Sequence, residues 1–160
     1  MPTLSMTTLA INSLALIAGA LAGQAPTMAC QHIGNAIQSS PVSNTYLFPD
    51  QCLVSPGGAY VATMQGDGNL VVYSSYSGTA IWNSGTAGNP GAALAMQQDG
   101  NVVIYANLYY PSSYVWQSNT PRQPFSYYAL RMQDDGNLVA YRIWGNRYYP
   151  VWSWKTGRTS

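Results

Sequence analysis

Three stretches carry the same polar residues at the same spacing: "MQGDGNLVVY" at 64–73, "MQQDGNVVIY" at 96–105 and "MQDDGNLVAY" at 132–141. The repeated set is Gln65, Asp67, Asn69, Val71 and Tyr73; then Gln97, Asp99, Asn101, Val103 and Tyr105; then Gln133, Asp135, Asn137, Val139 and Tyr141. A carboxylate accepts hydrogen bonds, while side-chain amides and a phenol both donate and accept. Together they match a ring bearing vicinal hydroxyls, each of which donates and accepts in turn. The Asp contact is charge-assisted and should be the strongest, and Val supplies an apolar patch for ring C–H groups. Inverting one hydroxyl would strand a polar group at a cost of roughly 1–3 kcal/mol, so such a set separates epimers.

Other chemistries fit poorly. Glycoside hydrolysis typically needs two carboxylates about 5–10 Å apart. The chain has no Glu, and four of its five acids, Asp67, Asp99, Asp134 and Asp135, sit in or beside the repeated turns. Asp134 and Asp135 are neighbours and point apart on extended backbone. The single histidine, His32, lies far from the repeats in sequence, so no Ser-His-Asp arrangement is built from them, and no four-ligand zinc set exists. No enzymatic activity, cofactor or metal is expected. Charged residues are 7% of the chain and the net charge is +1, without the basic patch that nucleic acid or an anionic membrane surface selects.

The elements that must position these residues follow from the turns. Asp-Gly between alternating segments is a strong hairpin signal. A two-residue loop would pair Gln65 with Leu70 and turn Gln65 toward the core. A three-residue loop, Gly66-Asp67-Gly68, pairs Gln65 with Asn69 and turns both outward. Its last position is left-handed and is Gly68, Gly100 or Gly136 in the three copies. The three-residue loop is therefore expected. Alternation then sends Leu70 and Val72, Val102 and Ile104, and Leu138 and Ala140 inward, and Asn, Val and Tyr outward.

A second landmark trails each motif: "IWNSGT" at 81–86, "VWQSNT" at 115–120 and "VWSWKT" at 151–156. Trp82, Trp116 and Trp152 are 34 and 36 residues apart, a period that signals repeated supersecondary units. One Trp per unit is placed to meet the others around a pseudo-threefold axis, whereas Trp144 and Trp154 fall off the pattern and are expected at the surface. Copies two and three carry two extra residues before the Trp, at "NLYYPSS" and "WGNRYYP", expected at hairpin tips. These aromatic segments either lengthen the binding faces or cap the tips.

Residues 1–22 are apolar and small, and "ALA" at 20–22 fits a secretory signal cleavage site, with Ala29 as the latest alternative. The expected organisation is a signal peptide over 1–22, an N-terminal arm over 23–43, one domain over 44–157 and a tail over 158–160, in a secreted protein without membrane insertion. In an oxidising compartment Cys30 and Cys52 are expected to form a disulfide tying the arm to the domain; a lipid on Cys30 is the weaker alternative.

Three copies of Q-x-D-x-N-x-V-x-Y, each followed by W-x-S or a variant, resemble the monocot bulb-type mannose-binding lectins of the β-prism II fold over residues 44–157. The resemblance implies an all-β prism of three four-stranded antiparallel sheets around a pseudo-threefold axis, with a shallow mannose site on each. It further implies that Asp and Asn contact the axial O2 hydroxyl, Gln O3 and Tyr O4, with Val on the ring carbons. Plant members usually bridge the first motif region to the second repeat by a disulfide. Here that slot holds Gly68, so a Cys30–Cys52 bridge lies outside the family pattern. Mannose-rich glycans are the expected partners, and exchange of C-terminal strands leaves a homodimer or higher oligomer open. The alternative is a non-catalytic structural or protein-interaction β-prism module that does not bind sugar.

Overall fold

The computed structural model describes residues 29–159; the expected signal peptide lies outside the described residues. Its three repeated hairpins join β5 (Tyr60–Met64) to β6 (Leu70–Ser74), β8 (Ala93–Met96) to β9 (Val102–Tyr105), and β11 (Tyr127–Met132) to β12 (Leu138–Trp144). In each, Gln N–H donates to the Asn carbonyl and the last turn Gly donates back to the Gln carbonyl, at 2.9–3.1 Å. The loop is thus three residues long. Gly68, Gly100 and Gly136 have φ of +91°, +86° and +79°, the left-handed conformation expected.

Each hairpin gains a third strand that returns with the tryptophan: β7 (Ala80–Asn83), β10 (Tyr114–Gln117) and β13 (Arg147–Ser153). A register shift precedes every one of these tryptophans, skipping Ile81, Val115 and Val151 in the pairing. Such a bulge re-aims the following side chain, and the three indoles meet edge to face with centroids 6.0, 6.0 and 5.4 Å apart. Around them close Leu70, Val72, Val102, Ile104, Leu138 and Ala140, none with any solvent exposure. Trp154 departs from expectation. It packs against this core, nearly parallel to Trp82 at 6.4 Å, while Trp144 remains exposed.

The fourth strand of each sheet comes from upstream in the chain. β4 (Gln51–Val54) pairs with β5, β3 (Thr45–Leu47) with β8, and β2 (Ala36–Ser39) with β11. β2 falls within residues 23–43, expected as an N-terminal arm, and completes the third sheet. Two sheets also gain a two-residue edge strand: β1 (Gln31–His32) runs parallel to β4, and β14 (Gly157–Arg158) pairs with β13. The Cys30–Cys52 disulfide is present and holds β1 against β4.

The sheets are also keyed to one another at the turns. A Cβ on Gly100 would lie 2.5 Å from the Tyr128 ring, one on Gly136 would lie 2.8 Å from the Tyr60 ring, and one on Gly68 would lie 2.1 Å from the Asn89 carbonyl oxygen. A first-strand tyrosine of one repeat thus seals the motif turn of another in two cases, and the carbonyl of the loop residue Asn89 seals the first. Asp134 adds a link, accepting the Gly57 N–H at 2.7 Å. Gly100→Ala should lose about 2–4 kcal/mol, combining a left-handed alanine with a clash. Gly85→Ala, at φ +71° with open space around it, should lose only about 1–2 kcal/mol. Urea unfolding of the two variants checks the difference.

Candidate functional site

The three motifs build the same polar arrangement on three sheet faces. In every turn one Asp carboxylate oxygen accepts the N–H of the Asn two residues on, at 2.9 Å. That bond fixes the carboxylate and leaves its second oxygen to accept from a ligand. Across the hairpin, Gln65 Nε2 donates to the Tyr73 hydroxyl oxygen at 2.8 Å and Gln97 Nε2 to that of Tyr105 at 2.7 Å. Gln133 and Tyr141 form the same pair. Because the phenol oxygen is the acceptor, its own proton is free to be donated outward, and the Gln carbonyl is free to accept. Burial pushes the Tyr105 hydroxyl above its ordinary pKa, with Asp99 and Tyr46 adding to the shift and the Gln97 bond opposing it. A phenol is already protonated at neutral pH, and the shift extends its donor form further toward alkaline pH. Val71, Val103 and Val139, expected to offer an apolar patch, are nearly covered. Each is only 3% exposed, a floor beneath the polar rim.

The Asn residues are held by groups the sequence reading did not single out. Asn69 Oδ1 accepts from the Ser84 hydroxyl and the Thr86 N–H, both at 3.1 Å. Asn101 Oδ1 accepts from Ser118 and Thr120 at 2.9 and 3.1 Å. Thr86 and Thr120 also donate to the carbonyls of Gly68 and Gly100, at 2.7 and 2.9 Å. The signal was present as W-x-S-x-T in copies one and two. Copy three reads W-S-W-K-T, and Trp154 takes the place of the Ser. Its indole N–H donates to the Gly136 carbonyl at 2.9 Å, which keeps the turn supported. Asn137 Oδ1 is left buried without a hydrogen-bond partner among the described residues.

Neither a protein-family model nor a curated protein matches the chain, but solved structures do. A mannose-binding lectin from Gastrodia elata, one of the monomeric monocot forms, is 35% identical, with a TM-score of 0.61 over 77% of this chain and 98% of its own. This chain belongs to the monocot mannose-binding lectin family. The Polygonatum cyrtonema lectin, solved with a monomannoside, is 34% identical with a TM-score of 0.56, covering 69% of this chain and 94% of its own. The mannose-specific agglutinin of snowdrop (Galanthus nivalis), complexed with methyl-α-D-mannoside, is 33% identical with a TM-score of 0.57, covering 79% and 98%.

Within this lectin framework the three faces have different surroundings. The residue paired across from the motif Val is Thr63 in the first, Ala95 in the second and Arg131 in the third. The Arg131 guanidinium sits 4.8 Å from the Tyr148 ring, and Tyr148 meets Tyr141 edge to face at 5.9 Å. The insertion at 144–150 thereby reaches the rim of the third face. The other insertion helps enclose a groove of about 590 Å³ on the second sheet, bounded by Tyr46, Phe48, Ala93, Ala106 and Tyr109. Ala93 is the cross-strand partner of Tyr105, so the groove adjoins that motif. No group of three or more metal-ligating side chains occurs among the described residues. Asn101→Ala should cost about 2–3 kcal/mol, because it strands the Ser118 and Thr120 donors. Asn137→Ala, whose Oδ1 has no partner, should stay within about 0.5–1 kcal/mol of the parent. Thermal or urea unfolding compares them.

Proposed function

We propose that this protein is a secreted, non-catalytic lectin that binds mannose and mannose-containing glycans through the three motif faces. The observation that carries the reading is the threefold recurrence of one arrangement: an oriented Asp with a free oxygen, an Asn beside it, and a Gln–Tyr pair with unused donor and acceptor capacity. Turn chemistry accounts for Asp, Gly and Asn, but it does not require Gln and Tyr to pair on the outer face. In this reading Asp and Asn take the axial O2 hydroxyl, Gln takes O3, Tyr takes O4 and the Val floor meets the ring carbons. Relatives solved with mannosides support the ligand class.

Each motif turn presents one oriented carboxylate; Asp50 lies beside the first turn, and Asp134 is engaged by the Gly57 N–H. The disulfide favours an oxidising compartment, and no helix among the described residues is long and apolar enough to cross a membrane. A single shallow face should bind in the millimolar to high-micromolar range, and three faces on one chain raise avidity for a branched or clustered glycan. The grooves and rings supplied by the two insertions extend the second and third faces toward additional sugar units.

Retention on immobilised mannan, released by free methyl-α-D-mannoside, is the expected behaviour. The triple variant Asp67→Asn, Asp99→Asn, Asp135→Asn keeps an acceptor for each turn but removes the charge. Each substitution should weaken its own face by about tenfold or more, so the triple variant should no longer be retained. Retention of the triple variant would refute the site assignment, and retention indifferent to free mannoside would refute the lectin reading.

A further inference from the structure

Away from the three motif faces, a cavity of about 500 Å³ opens between the loop after β10 and the β12–β13 hairpin. That volume is within the range of about 300–1,000 Å³ usual for small-ligand sites. Its lining is Arg122, Arg142, Trp144, Tyr149, Pro150 and Val151. Alternation along β12 places Arg142 opposite in direction to Tyr141, and its cross-strand partners are the buried Tyr128 and the cavity residue Tyr149. The cavity thus opens where the inner face of the third sheet runs past the end of the core.

Its polar groups are underused. Arg122 Nε, Arg142 Nε and the Tyr128 hydroxyl are all buried without a hydrogen-bond partner among the described residues. A buried donor gains by meeting an acceptor, so three such donors near one another suit an incoming acceptor group. The two arginines are also held in position. Arg122 donates from Nη2 to the Thr159 carbonyl at 2.9 Å and from its backbone N–H to the Asp99 carbonyl at 2.7 Å. The Arg142 guanidinium lies 5.2 Å from the Trp144 ring. Both cations act on the same Tyr128 hydroxyl, opposing the rise that burial imposes on its pKa. The chain has six Lys and Arg in total, so two at one cavity concentrate its positive charge. Beside them Trp144 and Tyr149 stand 64% and 45% exposed.

We propose that this cavity is a second kind of binding site, taking a carboxylated sugar of the hexuronate type. The planar guanidinium forks match a carboxylate, which accepts two parallel N–H bonds. Trp144 offers a face for the ring C–H groups, and Tyr149 and Pro150 wall the other side. A bare anion would leave those rings unused, and a neutral sugar would leave the guanidinium donors unpaired. The site is separate from the motif faces, so its test does not depend on mannose recognition.

The full chain, nitrogen-labelled so that both indole N–H and arginine Nε–H resonances report binding, is titrated with methyl β-D-glucuronide, methyl β-D-glucoside, acetate and sulfate. Saturable perturbation of the Trp144 indole by the glucuronide is expected, with the other three probes at least about tenfold weaker. Arg122→Gln and Arg142→Gln should each lower glucuronide affinity by about tenfold or more, the loss of a charge-assisted hydrogen bond. Trp144→Ala, an exposed position that leaves folding intact whatever the arginine variants do, should weaken the glucuronide and leave acetate unchanged. Equal binding of glucuronide and glucoside would overturn the proposal, as would acetate or sulfate binding as tightly as the glucuronide. So would glucuronide affinity unchanged in Trp144→Ala, or no glucuronide response in the parent chain.

Discussion

A left-handed residue at the end of each three-residue turn governs the rest of this molecule. It sets Gln opposite Asn rather than opposite the following apolar residue, and strand side chains alternate with a period of two. Changing the loop by one residue would send Gln65, Gln97 and Gln133 toward the core and disrupt every face together. Glycine is required there twice over. The backbone sits at positive φ, and the space a Cβ would fill is already taken by Tyr128, Tyr60 or the Asn89 carbonyl. The second requirement joins the repeats, since those neighbours come from another part of the chain. Turn geometry, face composition and packing between sheets therefore share one small set of atoms.

The core closes on the same logic. Each sheet alone is amphipathic and needs its inner face covered, and one aromatic per repeat, re-aimed by a bulge, supplies a common centre. Edge-to-face contacts among the three indoles favour their relative tilt over a stacked sandwich. Threefold regularity then breaks in one place. Trp154 occupies the position of Ser84 and Ser118, stacks near Trp82 and supports the turn through its indole N–H. The turn is supported as before, but Asn137 loses the partners that hold Asn69 and Asn101. With Arg131 beside Val139 as well, the third face differs chemically from the others although its motif letters are identical.

Scarcity of charge gives each ionised group a distinct place. Three of the five acids orient in the motif turns and Asp134 links two repeats through Gly57. Two of the five arginines converge at the cavity beside Trp144 instead of pairing with those acids. Negative charge is thus distributed with threefold regularity on the outer faces, and positive charge gathers at one end of the third sheet.

Whatever depends on residues close in the chain was legible from sequence. The turn length, the inward set from Leu70 to Ala140 and the outward sharing of a face by Gln, Asn, Val and Tyr follow from period-two alternation and the steric needs of glycine, and the trio of tryptophans follows from the repeat spacing of 34 and 36 residues. Sequence also pointed to the Cys30–Cys52 bridge. It did not show the partners of Asn69 and Asn101, which lie 15 to 19 residues downstream and meet them only when the third strand returns. Nor did it show that β2 joins the third sheet, because strand pairing between residues as far apart as Ala36 and Arg131 leaves no local pattern. The burial of Val71, Val103 and Val139, the inward turn of Trp154 and the meeting of Arg122 with Arg142 belong to the same class. Each depends on which surfaces the packed sheets bring together, and that is decided in three dimensions rather than along the chain.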